Sequence, residues 1–70
     1  MWKLGYWNNF YQIVTLLDHR DTEADVRKTL QIWISDEYAN SDIESFSEEQ
    51  DDDMTVITID NDEYYIWEEE

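Results

Sequence analysis

Cysteine and proline are both missing from this chain, and glycine occurs only at Gly5. Without cysteine there is no disulfide to stiffen a small fold, no thiolate metal site and no thiol nucleophile. Zero cysteine also suits a reducing cytoplasm, which is the expected location. The shortage of glycine and proline argues against a flexible linker. No run of about 18 apolar residues is present to span a membrane. The start, MWKLGYWNNF, has neither the basic opening nor the continuous apolar stretch of a signal peptide. Basic residues are scarce too: Lys and Arg total 4, and the last of them is Lys28.

What the chain does contain is aromatic and acidic. Its 70 residues make one domain, 1–70, and 16 % of them are aromatic, with four Trp and five Tyr. Disordered acidic tails are poor in such residues, so the chain is expected to fold. A core of this size supplies roughly 3–5 kcal/mol, so self-association into a homodimer would suit it. The formal net charge is −15, and it is segregated. Residues 1–35 hold four acids (Asp18, Asp21, Glu23, Asp25) and four bases (Lys3, Arg20, Arg27, Lys28), whereas residues 36–70 hold fifteen acids and no base. A one-sided distribution of this kind attracts basic partners and repels nucleic acid and anionic membranes.

The pattern along the chain predicts an α+β fold: two or three short helices packed on a small antiparallel sheet that ends in a β-hairpin. WKLGYW alternates as a short strand would. Leu4, Trp7, Tyr11, Val14 and Leu17 also recur at helical spacing, although Gly5 weakens a helix there by about 1 kcal/mol. The preferred reading is a first helix over residues 8–19, capped by Asn8, burying Phe10, Ile13, Val14 and Leu17 and ending at His19. DTEAD opens a second helix, over residues 23–38, with Thr22 capping the amide of Asp25. Val26, Leu30, Trp33 or Ile34, and Tyr38 form its apolar stripe. The two helices should pack antiparallel. Ser41 and Glu44 form a capping box for a short third helix held to the core by Ile43 and Phe46, with the acidic loop DDD after it. MTVITI and EYYIW, separated by DND, read as an antiparallel hairpin whose turn lacks the favoured Asn-Gly pair.

The chemistry of an enzyme is not expected. The one His, His19, has no companion nucleophile or oxyanion donor, and it reads as a residue at a helix C-terminus. No phosphate loop, nucleophile elbow or metalloprotease motif occurs. A calcium loop needs oxygen ligands at alternate positions, a Gly at the turn and a distal Glu. From Asp60 the alternate positions run to Asp62 and then Tyr64; from Asp51 they run to Asp53 and then Thr55. Neither series fits, so no metal or other cofactor is expected.

Charge display is the remaining chemistry. Much of the affinity of proteins for DNA comes from neutralising phosphates, and carboxylates held at similar density on a rigid frame can compete for the same basic cleft. Acids one helical turn apart lie about 5–6 Å from each other, and acids two apart on a strand lie about 6–7 Å apart. On this reading the partner is met by Asp42, Glu44, Glu48 and Glu49, by Asp51, Asp52 and Asp53, and by Asp60, Asp62 and Glu63. Tyr64, Tyr65 and Trp67 are candidate aromatic anchors, and because Tyr64 and Tyr65 point to opposite strand faces, one of them should face outward.

In size, absence of cysteine and the one-sided acid excess of DEYANSDIESFSEEQDDD and DNDEYYIWEEE, the chain resembles the small acidic DNA-mimic inhibitors of phages and mobile elements. These include anti-restriction proteins, anti-CRISPR proteins and uracil-DNA glycosylase inhibitors. The resemblance covers residues 36–70. It implies a basic host DNA-binding protein as partner, such as a nuclease, a glycosylase or a CRISPR effector, blocked by occupation of its nucleic-acid cleft. Two other readings remain open: an immunity protein or antitoxin that neutralises a basic toxin, and an acidic oligomeric structural or regulatory subunit.

Overall fold

The computed structural model describes residues 1–39 and 42–70. The elements follow in the order β1 (Trp2–Asn8), β2 (Ile13–Arg20), α1 (Glu23–Glu37), β3 (Phe46–Asp51), β4 (Met54–Ile59) and β5 (Asp62–Glu68). All strand pairs are antiparallel, and the five-stranded sheet has the spatial order β2-β1-β5-β4-β3. The class is α+β, with one helix among the described residues.

The helix is the element that the sequence marks best. The amide of Asp25 donates to Thr22 Oγ1 at 3.1 Å, and the acids Glu23 and Asp25 lie in the first turn, at the positive end of the dipole. Val26, Leu30 and Ile34 recur every fourth residue and turn toward the sheet. Trp33 is on the flank instead, 39 % exposed. Thr29, which is buried, returns its hydroxyl to the carbonyl of Asp25 at 3.0 Å.

Residues 8–19 are not a helix. They form the turn and second arm of the β1–β2 hairpin, in which Asn8 pairs with Ile13. Asn8 Oδ1 does accept the amides of Phe10 and Tyr11, at 3.0 and 3.2 Å. Those are the hydrogen bonds of an N-cap, but here they close an Asx-type turn, and Gln12 reverses the chain in the left-handed region at φ 54°. The run IVTLL is dominated by β-branched and aliphatic residues that pack equally well as a strand. Consequently Phe10 is 86 % exposed, and Ile13 and Val14 are exposed as well, while Leu17 alone of the expected stripe packs against the core. His19 stands on an edge strand opposite Lys3, not at a helix end.

The third helix is absent as well. Ser41 lies outside the described residues, residues 42–45 carry no regular structure, and Phe46–Asp51 is an edge strand paired with β4. Ile43 and Phe46 are exposed rather than anchored in the core. The strand is held by its pairing with β4 and by the Arg27–Glu48 fork that ties it to α1. Every residue of β3 is exposed, so no apolar periodicity announces it. The expected β4–β5 hairpin is present, with Ile59 opposite Asp62 across the pair Asp60-Asn61.

The core lies between α1 and one sheet face: Leu4, Val26, Leu30, Ile57, Ile59, Tyr64 and Ile66. The opposite face has no covering element among the described residues. Gly5 sits on it, where a Cβ would meet Val14 Cγ1 at 2.7 Å, Trp67 Cζ3 at 3.1 Å and the Thr15 carbonyl oxygen at 3.2 Å. Only a residue without a side chain lets Trp67 and Val14 close over β1. Gly5→Ala should therefore lower stability by about 1–3 kcal/mol through overpacking, read as a lower urea midpoint.

Candidate acidic interaction surface

The sheet distributes the carboxylates around its β3 edge and around both ends of β4. Along β3, Glu49 and Asp51 alternate onto the uncovered face, while Glu48 turns to the helix side. There Arg27 Nη1 and Nη2 donate to Glu48 Oε1 and Oε2 at 3.0 and 3.3 Å, and Arg27 Nε donates to Glu23 at 3.3 Å. This fork holds the Glu48 carboxyl below the usual carboxylate range and raises the guanidinium in return. Glu48 thus ties β3 to α1, and its charge is compensated within the protein.

At one end of the sheet, the β3–β4 turn brings Asp52 and Asp53 beside the end of β5. They share a concave surface with Trp2, Gln50, Glu68 and Glu70. Asp52 takes the left-handed conformation at φ 54°, which Asp tolerates better than most residues. Gln50 fixes the turn: its amide donates to the Asp52 carbonyl at 3.2 Å, and its oxygen accepts from the buried Thr55 hydroxyl at 3.0 Å. Glu69 is drawn aside to Lys3 Nζ, 3.1 Å away, and to the Trp67 indole N–H at 3.2 Å. Those contacts, the indole first, lower its pKa from the ordinary value.

At the other end the acids have structural partners. Asp60 Oδ1 accepts the amides of Glu44 and Ser45 at 3.0 and 2.9 Å, and the Asp60 amide donates to the Ser45 carbonyl at 3.0 Å. Asp60 therefore clamps the segment leading into β3. Asp62 accepts from the Tyr38 hydroxyl, which also lies 3.5 Å from that of Tyr64. Burial and then the Asp62 bond push the Tyr38 phenol well above its usual range. Asp42 and Glu44 stay exposed.

The aromatic candidates separate by face. Tyr64 is buried under α1 and belongs to the core, so it presents no surface to a partner. Tyr65 and Trp67 are half-buried on the uncovered face, next to Glu63. The Tyr65 hydroxyl donates to Glu63 Oε2 at 2.5 Å; burial first, and then this bond, push its pKa up to about 12. A phenol held protonated by the fold contributes stability below its unfolded pKa of about 10, and that contribution disappears as pH rises toward 12. Glu63→Gln should lower the Tyr65 phenolate transition only part of the way in an ultraviolet absorbance titration, because burial remains, and the alkaline loss of stability in the parent should begin between about 10 and about 12.

Sequence reasoning missed Glu68 and Glu70 as part of the acidic surface. Their juxtaposition with Asp52 and Asp53 depends on the β3–β4–β5 register, and a run of three Glu after a strand carries no signal of it. Among the described residues, Glu48 and Glu69 are the only acids of residues 36–70 within ion-pair distance of a base. No three His, Cys, Asp or Glu of the described residues are arranged to hold a metal ion, and no described helix is long and apolar enough to cross a membrane. What fold and surface define is a ββαβββ α+β chain with an acidic rim along the β3 edge and the β3–β4 turn end of its sheet. Comparison with protein-family models, curated proteins and solved structures found no match to this chain.

Proposed function

We propose that this chain is a non-enzymatic inhibitor that occupies the basic nucleic-acid-binding cleft of another protein in the cytoplasm, acting as a DNA mimic. The observation that carries the reading is the uncompensated acidic rim: Glu49, Asp51, Asp52, Asp53, Glu68 and Glu70 face solvent from a hydrogen-bonded sheet, with no Lys or Arg paired to them. Charges on a fixed frame can match a cleft that evolved for phosphates, and they steer association with a basic partner. Asp42, Glu44 and Glu63 extend the rim, with Tyr65 and Trp67 as aromatic neighbours. Glu48, Asp60 and Asp62 support it through their internal bonds.

The deciding experiment is affinity capture of the partner on immobilised protein, followed by competition with duplex DNA. Displacement of the partner by DNA, with an affinity that falls steeply as salt rises, is the expected result. A partner that holds DNA and this protein at the same time would overturn mimicry and favour neutralisation of a basic toxin outside any DNA cleft.

A further inference from the structure

The helix does not seal its side of the sheet completely. A cavity of about 250 Å³ opens between the second half of α1 and strands β1, β2 and β5, lined by Tyr6, Leu17, Trp33, Glu37 and Tyr64. It lies apart from the acidic turn: Tyr6↔Tyr64 stands at the opposite end of the β1–β5 pairing from Trp2↔Glu68. Each part of the lining has a definite source. Tyr6 and Tyr64 are cross-strand partners on the core face. Trp33 and Glu37 are one helical turn apart. Leu17 is the extra residue of a β-bulge, since Gly5 pairs with Leu16 and Leu4 with Asp18, and it packs on the core side. The lining is negative as well as apolar. Aromatic faces carry partial negative charge, and Glu37 adds a full one. Among the described residues no Lys or Arg is paired with Glu37. Burial first raises the Tyr64 phenol, and the charges of Asp62 and Glu37 add to the rise.

We propose that this cavity binds a small organic cation through a methylated, quaternary ammonium head. Aromatic rings attract a cation held within about 6 Å of their centres, and most strongly where water is excluded. Glu37 supplies the opposite charge at the cavity wall. The methyl groups of such a head meet Leu17 and the rings with apolar surface. A bare ammonium is a strongly hydrated point charge and gives up more water to enter. Phosphates and carboxylates are rejected by the same negative lining. Size agrees with the assignment. A single water takes about 30 Å³ and pockets for drug-sized ligands begin near 300 Å³, so about 250 Å³ suits a compact head group with a short tail. Tyr64 is only 6 % exposed, which leaves it within reach of an ion and out of reach of a protein surface. Trp33, 39 % exposed on the flank of α1, is the ring at the open side.

Choline is the probe, and its control is the neutral alcohol of the same shape in which carbon replaces the nitrogen. In a proton NMR titration at constant ionic strength, the N-methyl signal of choline should move upfield saturably as protein is added, because the ring faces shield it. The neutral alcohol should bind at least about tenfold more weakly. Trp33→Ala should weaken choline binding by roughly tenfold while the net charge stays at −15, which separates the ring from the general acidity of the surface. Glu37→Gln, at an exposed position, should weaken it by about threefold. Circular dichroism checks that each variant is folded. Should Trp33→Ala unfold, Trp33→Leu decides in its place, since it keeps an apolar side chain without the ring. The proposal is overturned by a choline signal that does not move saturably, by a neutral alcohol that binds as well as choline, or by a shift that survives loss of the Trp33 ring. None of these outcomes depends on whether the acidic rim binds a DNA-binding partner.

Discussion

Ile66→Ala is expected to leave the protein largely unfolded at 25 °C. Ile66 is fully buried in β5, flanked by Leu4 of β1 and Thr55 of β4, beneath the helix. Truncating a large aliphatic side chain in such a place costs about 2–5 kcal/mol, since the cavity cannot collapse from a central strand. A core of about 70 residues supplies only roughly 3–5 kcal/mol in total. The two magnitudes overlap, so this one change removes most of the stability available. The measurement is urea denaturation followed by tryptophan fluorescence. Ile66→Val, which removes one methylene, should shift the midpoint by a much smaller amount, about 0.5–1.5 kcal/mol. If Ile66→Ala unfolds with a midpoint near that of the parent, the core is not organised around β5.

Converting Glu49, Asp51, Asp52 and Asp53 together to their amides should act in opposite directions on folding and on binding. The fold should gain stability, because four like charges crowded along one edge and its turn are removed from a strongly negative molecule. Asp52→Asn keeps a residue type tolerant of the left-handed conformation at φ 54°, so the turn itself should survive. The gain should be largest at low ionic strength and shrink as added salt screens the repulsion. Association with a basic partner should meanwhile slow by roughly tenfold or more, with a shallower salt dependence, since these groups supply the steering field. Thermal unfolding across a salt series and association kinetics on the captured partner test the two arms. Unchanged kinetics and salt dependence would reduce the rim to a solvated surface.

The helix and the β4–β5 hairpin were legible because their signals are local. Thr22 caps within three residues, Val26, Leu30 and Ile34 repeat at one spacing, and MTVITI is β-branched almost throughout. The β1–β2 hairpin was not legible, because Asn8 makes the same side-chain bonds at a turn as at a helix start, and IVTLL carries no period that separates helix from strand. β3 is held as a strand by pairing with β4 and by Arg27 of the distant helix, and partners in other segments leave no trace in FSEEQD itself. The acidic site was legible as a composition and illegible as a geometry. Counting charges reveals the excess in residues 36–70. It does not reveal that Asp60 clamps Ser45, that Glu48 answers Arg27, or that Glu68 and Glu70 stand beside the β3–β4 turn, since each of these depends on strand register or on the distant helix.

The strand order also has a consequence for how the chain is made. β5 comes last in sequence, yet it lies at the centre of the sheet and bonds to β1 across the whole length of the chain, from Trp2↔Glu68 to Tyr6↔Tyr64. While a ribosome is still extending the polypeptide, the β1–β2 hairpin emerges first, and Leu4 has no Ile66 or Tyr64 to close on. Folding must therefore wait for the final strand and then proceed in one cooperative step, with the slow closure that distant contacts impose. The segment that waits is the neutral one with its exposed aliphatic strand, the half most prone to clump with neighbouring nascent chains. The acidic residues follow on the same polypeptide, so once they too are free, and before any partner is met, the negative half of this protein serves as a solubilising escort for the half that was synthesised first.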